Sequence, residues 1–342
     1  MKKIFVICLS AILIFFGGFF VLNSRIVKNV VIEKDVVLNA DTHNTPEAKP
    51  ENSNVLIYAV GDIMLDRGVK YMIYKYGNGD YRFPFENIAD YFKSADIIFG
   101  NLEGQISDKG NKIGTVNSFR VEPKAIEGLK YAGFNVLSVA NNHSFDYNTA
   151  ALEDSFNRLK KAGIEYVGGG FNKEEAFKLK IIEKNGTKIG FLAYCSVGAK
   201  GWVATDTNTG IAFITEKDME GIKKDISKAK EQVDVLIVSS HFGDEYQVEQ
   251  NESQIIMYQA FIDAGADIVL GHHPHVIQPV AEYGNGWIAY SLGNFVFDQG
   301  FDEITMKGLL LEISFENKKV KSVLSREIKM NSHFQPELSA LP

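Results

Sequence analysis

Five of the seven histidines crowd into three short segments, each placed just after an apolar run: His143 in "ANNHSFD", His241 in "SSHFGDE", and His272, His273 and His275 in "GHHPH". Equivalent positions after other apolar runs carry Asp62 in "GDIMLDR", Asn101 and Glu103 in "GNLEG", and Asn294 in "SLGNFVFD", while Asn142 precedes His143. A lone histidine is usually a hydrogen-bonded loop side chain. Five of them accompanied by Asp, Glu and Asn at matching positions form a metal-binding pattern. Imidazole suits Zn, Mn or Fe and oxygen donors suit harder ions, so the mixed set fits a hydrolytic centre of one or two divalent ions. Two ions about 3.5–4 Å apart activate water and clamp the attacked group, an arrangement that requires a bridging carboxylate. Asp62 and Glu103 are the candidates, because each follows an apolar run and lies beside a glycine that permits close approach. His273 is expected to stay outside the ligand set, since three histidines around Pro274 in a tight loop are not expected all to face one ion. His43 and His333 lie outside the clusters.

The elements that must position these residues are legible as alternating strands and helices. "VLIYAV" (55–60), "ADIIFG" (95–100), "FNVLSV" (134–139), "VDVLIV" (233–238) and "ADIVLG" (266–271) have the near-continuous apolar character of strands buried on both faces. Between them "EPKAIEGLKYAG", "NTAALEDSFNRLKKAG" and "ESQIIMYQAFIDAG" read as amphipathic helices that end at glycine. "GWIAYSLG" (286–293), "GLLLEISFE" (308–316) and "KVKSVLSREI" (319–328) follow with short connections and predict added antiparallel strands. The series predicts one α/β domain over 54–330 with a tail over 331–342. Ligands of such open sheets sit beyond the carboxyl ends of the strands, where the polar residues cluster.

Lys2 and Lys3 precede an apolar run from Ile4 to Leu22, long enough to span a bilayer and without a small-x-small cleavage site after it. Residues 1–24 are therefore expected to be a single-pass anchor with a very short cytoplasmic N-terminus. Residues 25–53 include the polar, proline-containing "NADTHNTPEAKPENS" and are expected to form a stalk. The expected location is the cell membrane, with the domain on its outer side. The formal charge of −7, from 36 basic and 43 acidic residues, argues against a general nucleic-acid binder, which needs a positive surface. Two cysteines, Cys8 in the apolar run and Cys195 near the end of a predicted strand, exclude a disulfide framework within the domain. Cys195 reads as a small buried apolar residue.

"AVGDIMLDRGV", "GNLEG", "GFNVLSVANNHSFDYN", "SSHFGDEY", "GADIVLGHHPHVIQPV" and "IAYSLGNFVFD", taken in order over about 54–300, resemble the CapA family of poly-γ-glutamate capsule biosynthesis proteins. That family is related to calcineurin-like metallophosphoesterases. The resemblance implies a metallophosphoesterase-like sandwich of mixed β-sheets flanked by helices. It also implies that Asp62 supplies the first metal carboxylate, that Asn142 binds metal, and that His143 assists the leaving group. His241 resembles the lone later metal histidine, and His272 with His275 the closing pair. The spelling departs from the phosphoesterase pattern: Ile63 and Met64 follow Asp62 where Asp-x-His is usual, and Asn101 and Glu103 replace an Asp. The implied activity is metal-dependent hydrolysis of poly-γ-glutamate or another anionic envelope polymer. By their own chemistry Arg67 and Arg120 are candidates either to pair with substrate carboxylates or phosphates or to form solvated or structural ion pairs, and Asn101 and Asn294 are further candidate substrate contacts. The alternative is a non-catalytic component that holds the polymer beside other capsule synthesis or export subunits.

Overall fold

The apolar runs form strands that are buried along their whole length: Val55–Ile63, Ile97–Leu102, Val136–Ser138, Val235–His241 and Ile268–His272. The computed structural model describes residues 55–113 and 116–339. The expected anchor and stalk, residues 1–24 and 25–53, lie outside the described residues. Among the described residues no helix is long and apolar enough to cross a membrane.

Most strands pair into two mixed sheets flanked by helices, and two further two-stranded pairs join Gln105–Ile106 to Arg120–Val121 and Gly169–Gly170 to Gly210–Ile211. In the 8-stranded sheet the order is Pro336–Leu338, Lys319–Met330, Lys307–Glu316, Val55–Ile63, Ile97–Leu102, Val136–Ser138 and Glu165–Val167. Asn294–Val296 adds to the end of Val55–Ile63 in parallel. The 6-stranded sheet runs Val280–Tyr283, Gly286–Ala289, Ile268–His272, Val235–His241, Thr187–Cys195 and Lys180–Lys184. Side chains of Thr187–Cys195 alternate as a pleated strand requires. Ile189, Phe191 and Ala193 enter the core shared with the first sheet, where Phe191 stacks on Phe99 at 5.9 Å. Leu192 and Tyr194 face outward onto Ile222, Ile226, Met257 and Phe261 of the helices Met219–Lys230 and Glu252–Asp263. On the first sheet, Phe92 packs edge-on against Phe134 and stacked on Phe295, with ring centroids 6.0 and 5.6 Å away. The expected helices are Ala125–Ala132, Asn148–Ala162 and Glu252–Asp263, the first two capped by Gly133 and Gly163 in the left-handed region.

Two expectations need correction. The segment 286–293 was expected to be an antiparallel addition, but Gly286–Ala289 runs parallel to Ile268–His272 and antiparallel only to Val280–Tyr283. Its outer edge is completed by that short hairpin. Residues from 331 onward are not a loose tail within the described residues, since Pro336–Leu338 pairs with Lys319–Met330 and Gln335 donates its side-chain amide to the Phe83 carbonyl at 2.6 Å.

Candidate metal centre

Strand register brings the polar strand ends to one level. Asp62 stands opposite Asn101 on one side and Asn294 on the other, and His241 stands opposite His272 in the second sheet. The ladder of Val55–Ile63 shifts register between Ala59 and Asp62, a bulge-like irregularity of the kind that re-aims side chains at functional rims. Gly271 lets the second sheet close in: a Cβ there would lie 1.9 Å from the Tyr290 carbonyl oxygen.

Asp62 is wholly buried and surrounded by donors. Its Oδ1 accepts from Asn101 Nδ2 at 2.8 Å and lies 3.3 Å from His272 Nδ1; its Oδ2 lies 3.3 Å from His275 Nδ1 and accepts from the His273 backbone N–H at 3.2 Å. Burial opposes its charge, but His272 and His275 outweigh burial and hold the carboxyl well below the ordinary carboxylate range. Glu103 behaves oppositely. Burial, reinforced by the Asp62 charge, pushes its carboxyl well above that range. Two carboxylates in one buried site cannot both ionise cheaply without a cation. Ligand atoms of Asp62, Glu103 and His275 lie within 4.8 Å of one another. His241 reaches the same place, with Nε2 2.9 Å from Asn142 Oδ1 and 3.9 Å from Glu103 Oε1. Burial and then the neighbouring His273 keep its imidazole pKa well below normal, so it is a neutral donor.

His143 stands at the edge of this cluster. Its Nδ1 is 2.8 Å from Asp146 Oδ2, an oxygen that also accepts the Phe119 backbone N–H at 2.7 Å, and its ring stacks on Phe119 at 3.9 Å. With Nδ1 engaged, Nε2 is left 3.9 Å from Glu103 Oε2. Asn141 and Asp146 are positioning residues that sequence reasoning passed over, although both sit inside the motif read for His143. Asn141 donates to Asn101 and to the Leu102 carbonyl, and its Oδ1 receives the His143 backbone N–H.

The expected substrate contacts divide. Asn101 and Asn294 are fully buried, and their amides hold Asp62 and His275 in place: Asn294 Oδ1 is 3.0 Å from His275 Nδ1. Both stand beside Asp62 on neighbouring strands. Arg67 is paired with Asp298 and lies 4.6 Å over the Phe119 ring, one aromatic away from His143. Arg120 is directed elsewhere. It lies over Tyr147 and lines a surface cavity of about 560 Å³ with Asp66, Lys70 and Lys124, to which no histidine contributes. Cys195 is buried with its pKa pushed up to about 12 by burial, which suits the apolar role expected of it. His273, expected to stay outside the ligand set, is 5% exposed, with its ring 4.9 Å from that of His241.

Glu103 Oε2, both ring nitrogens of His272 and Nδ1 of His273 are buried without a hydrogen-bond partner. His272 Nδ1 is near Asp62 in distance but not aligned to share a proton with it. Buried polar atoms are normally satisfied, so unpartnered donors within one buried strand-end cluster fit a divalent cation. Asp62, Glu103, Asn142, His241, His272 and His275 would hold it, and a cation there supplies water activation and charge neutralisation. Beside them stands a fixed imidazole, His143, with Nδ1 engaged by Asp146 and Nε2 turned toward Glu103.

A family model described as bacterial capsule synthesis protein PGA_cap matches residues 56–299. The chain is similar to the capsule biosynthesis protein CapA of Bacillus anthracis, 36% identical over 264 residues that make up 75% of this chain and 63% of that protein. It is similar also to the PGA biosynthesis protein CapA of Bacillus subtilis (strain 168), 34% identical over 261 residues, 75% of this chain and 67% of that protein. The chain thus spans less than two thirds of the first relative's length. A crystal structure described as a novel phosphatase from Mycoplasma pneumoniae superposes with a TM-score of 0.49 at 17% identity, over 81% of this chain and 94% of that one. That likeness is too weak to bear on chemistry.

Proposed function

This chain belongs to the bacterial capsule synthesis protein family PGA_cap, and on that premise we propose that it acts in the biosynthesis of a poly-γ-glutamate capsule or a related anionic envelope polymer through a metal-dependent hydrolase-like site. The observation that carries this reading is the set of buried, unpartnered donor atoms on Glu103 and His272 beside a low-pKa Asp62. Such a set costs stability in a merely structural core and gains purpose when a cation occupies it. His143 protonates the leaving group from Nε2, Asp146 fixes its ring, and Arg67 at the rim meets a polymer carboxylate. The fold reading is that of a metallophosphoesterase-like sandwich, and the bond attacked is a γ-glutamyl amide or a phosphoester.

The test is incubation of the purified chain with poly-γ-glutamate, with and without Mn, followed by size-exclusion chromatography. Metal-dependent shortening of the polymer supports hydrolysis. Binding without shortening replaces it with a non-catalytic role in holding the polymer, and neither shortening nor binding ends the reading. The companion proposal is that residues 1–24 anchor the chain in the cell membrane with the domain outside. Protease added to intact protoplasts then removes the domain; full protection reverses the orientation.

A further inference from the structure

The surface cavity that Arg120 lines belongs to a part of the fold that the histidine cluster does not use. The short parallel pair Gln105–Ile106 and Arg120–Val121 forms one side of it, and the start of the helix Arg67–Tyr76 and Tyr147 form others. Its volume, about 560 Å³, falls within the roughly 300–1,000 Å³ usual for small-molecule sites. The walls are tied to one another. Gly110 packs so closely that a Cβ would lie 2.0 Å from the Tyr147 carbonyl oxygen, and Gln105 Oε1 accepts the Tyr147 backbone N–H at 2.8 Å. Asp66 Oδ2 accepts the Arg120 backbone N–H at 2.9 Å, which fixes the helix start to the strand pair. Phe119 and Asp146, which hold His143, immediately precede Arg120 and Tyr147, so the cavity adjoins the metal centre without sharing a side chain with it.

The charged side chains of the cavity sort by their partners. Lys70 and Glu122 neutralise each other at 2.6 Å, and Tyr74 donates its hydroxyl to the same carboxylate at 2.7 Å. Asp108 is paired with Arg158 at 2.8 Å. Arg120, Lys124 and Asp66 remain, each without an ion-pair partner among the described residues. Arg120 is held in place nonetheless: its Nη1 donates to the carbonyls of Lys109 and Gly110 at 3.3 Å each, and its guanidinium lies 4.3 Å over the Tyr147 ring. That leaves Nε and Nη2 for a ligand. Arg120 alone would suit any anion. With Lys124 and Asp66 beside it, the open valences are two cations and one carboxylate, and the complement of that set carries two anionic groups and one cation. An acidic amino acid with its α-ammonium free has this make-up. So does the amino-terminal unit of a γ-linked glutamate chain, whose ammonium and α-carboxylate are followed by the α-carboxylate of the next unit.

We propose that this cavity binds an acidic amino acid as its zwitterion, with the carboxylates on Arg120 and Lys124 and the ammonium on Asp66. The ligand is free glutamate or the free-amine end of a γ-glutamyl chain. The site requires neither a metal ion nor turnover, and it rests on the capsule reading only for the second of these two sources.

Calorimetric titration of the full-length chain in detergent, with glutamate, glutarate, tri-γ-glutamate and N-acetylated tri-γ-glutamate as probes, reads binding without any assay of activity. Glutamate is expected to bind at least about tenfold tighter than glutarate, which lacks the ammonium, since one charge-assisted hydrogen bond accounts for about ten- to a hundredfold in affinity. Tri-γ-glutamate binding tighter than glutamate, with the gain lost on acetylation, identifies the chain end as the source; equal affinity identifies the free amino acid. Asp66→Asn keeps an oxygen for the Arg120 N–H, and it should weaken glutamate by about tenfold or more. Arg120→Gln should do the same, and Lys124→Gln, at an exposed position, keeps the anion half testable if Arg120→Gln lowers Tm. Glutamate and glutarate bound alike, or Asp66→Asn without effect, overturn the zwitterion site. A wild type that binds none of the probes overturns it altogether, while polymer shortening tests the capsule reading separately.

Discussion

Alanine at His143 and at His272, made in parallel, separates a group that works beside a metal from one that holds it. His143 supports the fold by itself, through its stack on Phe119 and its hydrogen bond to Asp146. A stacked aromatic pair contributes about 0.5–1.5 kcal/mol and a hydrogen bond about 1 kcal/mol, so His143→Ala should cost roughly 1.5–2.5 kcal/mol with or without metal. At about 2–4 °C per kcal/mol for a large domain, Tm should fall by roughly 3–10 °C. His272 differs, because neither ring nitrogen makes a hydrogen bond. Its removal from metal-free protein sacrifices packing and its electrostatic support of Asp62, 3.3 Å away. A ligand at about a hundred times its Kd adds about 2.7 kcal/mol, or roughly 5–11 °C at the same conversion. Calorimetric scans of metal-free and Mn-loaded protein therefore read two separable quantities, a baseline Tm and a metal increment. His143→Ala should show a lowered baseline with the increment intact, and His272→Ala should lack the increment. If His143→Ala loses the increment while His272→Ala keeps it, the inference from buried unpartnered nitrogens to ligands is refuted.

Gly271→Ala should cost roughly 1–3 kcal/mol and reduce the metal increment, because its Cβ would meet the Tyr290 carbonyl oxygen beside His272; an unchanged denaturant midpoint and increment would show that the strand can yield. Cys195 should resist iodoacetamide at pH 8.5 in the folded state and react once unfolded, since burial keeps it a thiol; a Cys8→Ser background makes the count unambiguous, and labelling of the native protein would contradict it. Asp154 accepts hydrogen bonds from Arg158 and Ser107 at 2.7 Å each; although burial opposes its charge, these partners and Lys109 hold its pKa below the ordinary value. Its contribution is therefore present above about pH 4 and lost as pH falls through the lower folded pKa, so the stability gap between wild type and Asp154→Asn should narrow below about pH 4. A gap that persists to pH 2 would mean that packing, not charge, sets it.

The strands of the first sheet were legible because burial on both faces leaves a plain apolar run, and the helices because glycine marks their ends. Placement of Asp62, Asn101, His241 and His272 near one another followed from their common position at strand ends, which parallel register then converts to proximity. The hairpin Lys180–Lys184 to Thr187–Cys195 was harder to see, since its first strand reads "KIIEK", a largely exposed edge, although Asn185-Gly186 is a strong turn signal. The division between ligand and support was not legible. Asn101 and Asn294 look like any strand-end amide, and only the ladder shows that they flank the carboxylate. His273 was set aside on the expectation of a tight loop, and the positive φ values that turn it inward depend on the packing of Tyr246 against Pro274.

The position of Val55–Ile63 in its sheet has a kinetic consequence. This strand, first in the domain, has Ile97–Leu102 on one side and Lys307–Glu316 on the other, with Val55 opposite Phe315. During synthesis at about 5–20 residues per second, its second neighbour appears only after roughly ten to fifty seconds. Through that interval an apolar strand with an unpaired edge is exposed, the circumstance that favours off-pathway association. Asp62 lies on the same strand, so the candidate cation-binding cluster cannot close until translation has passed His275.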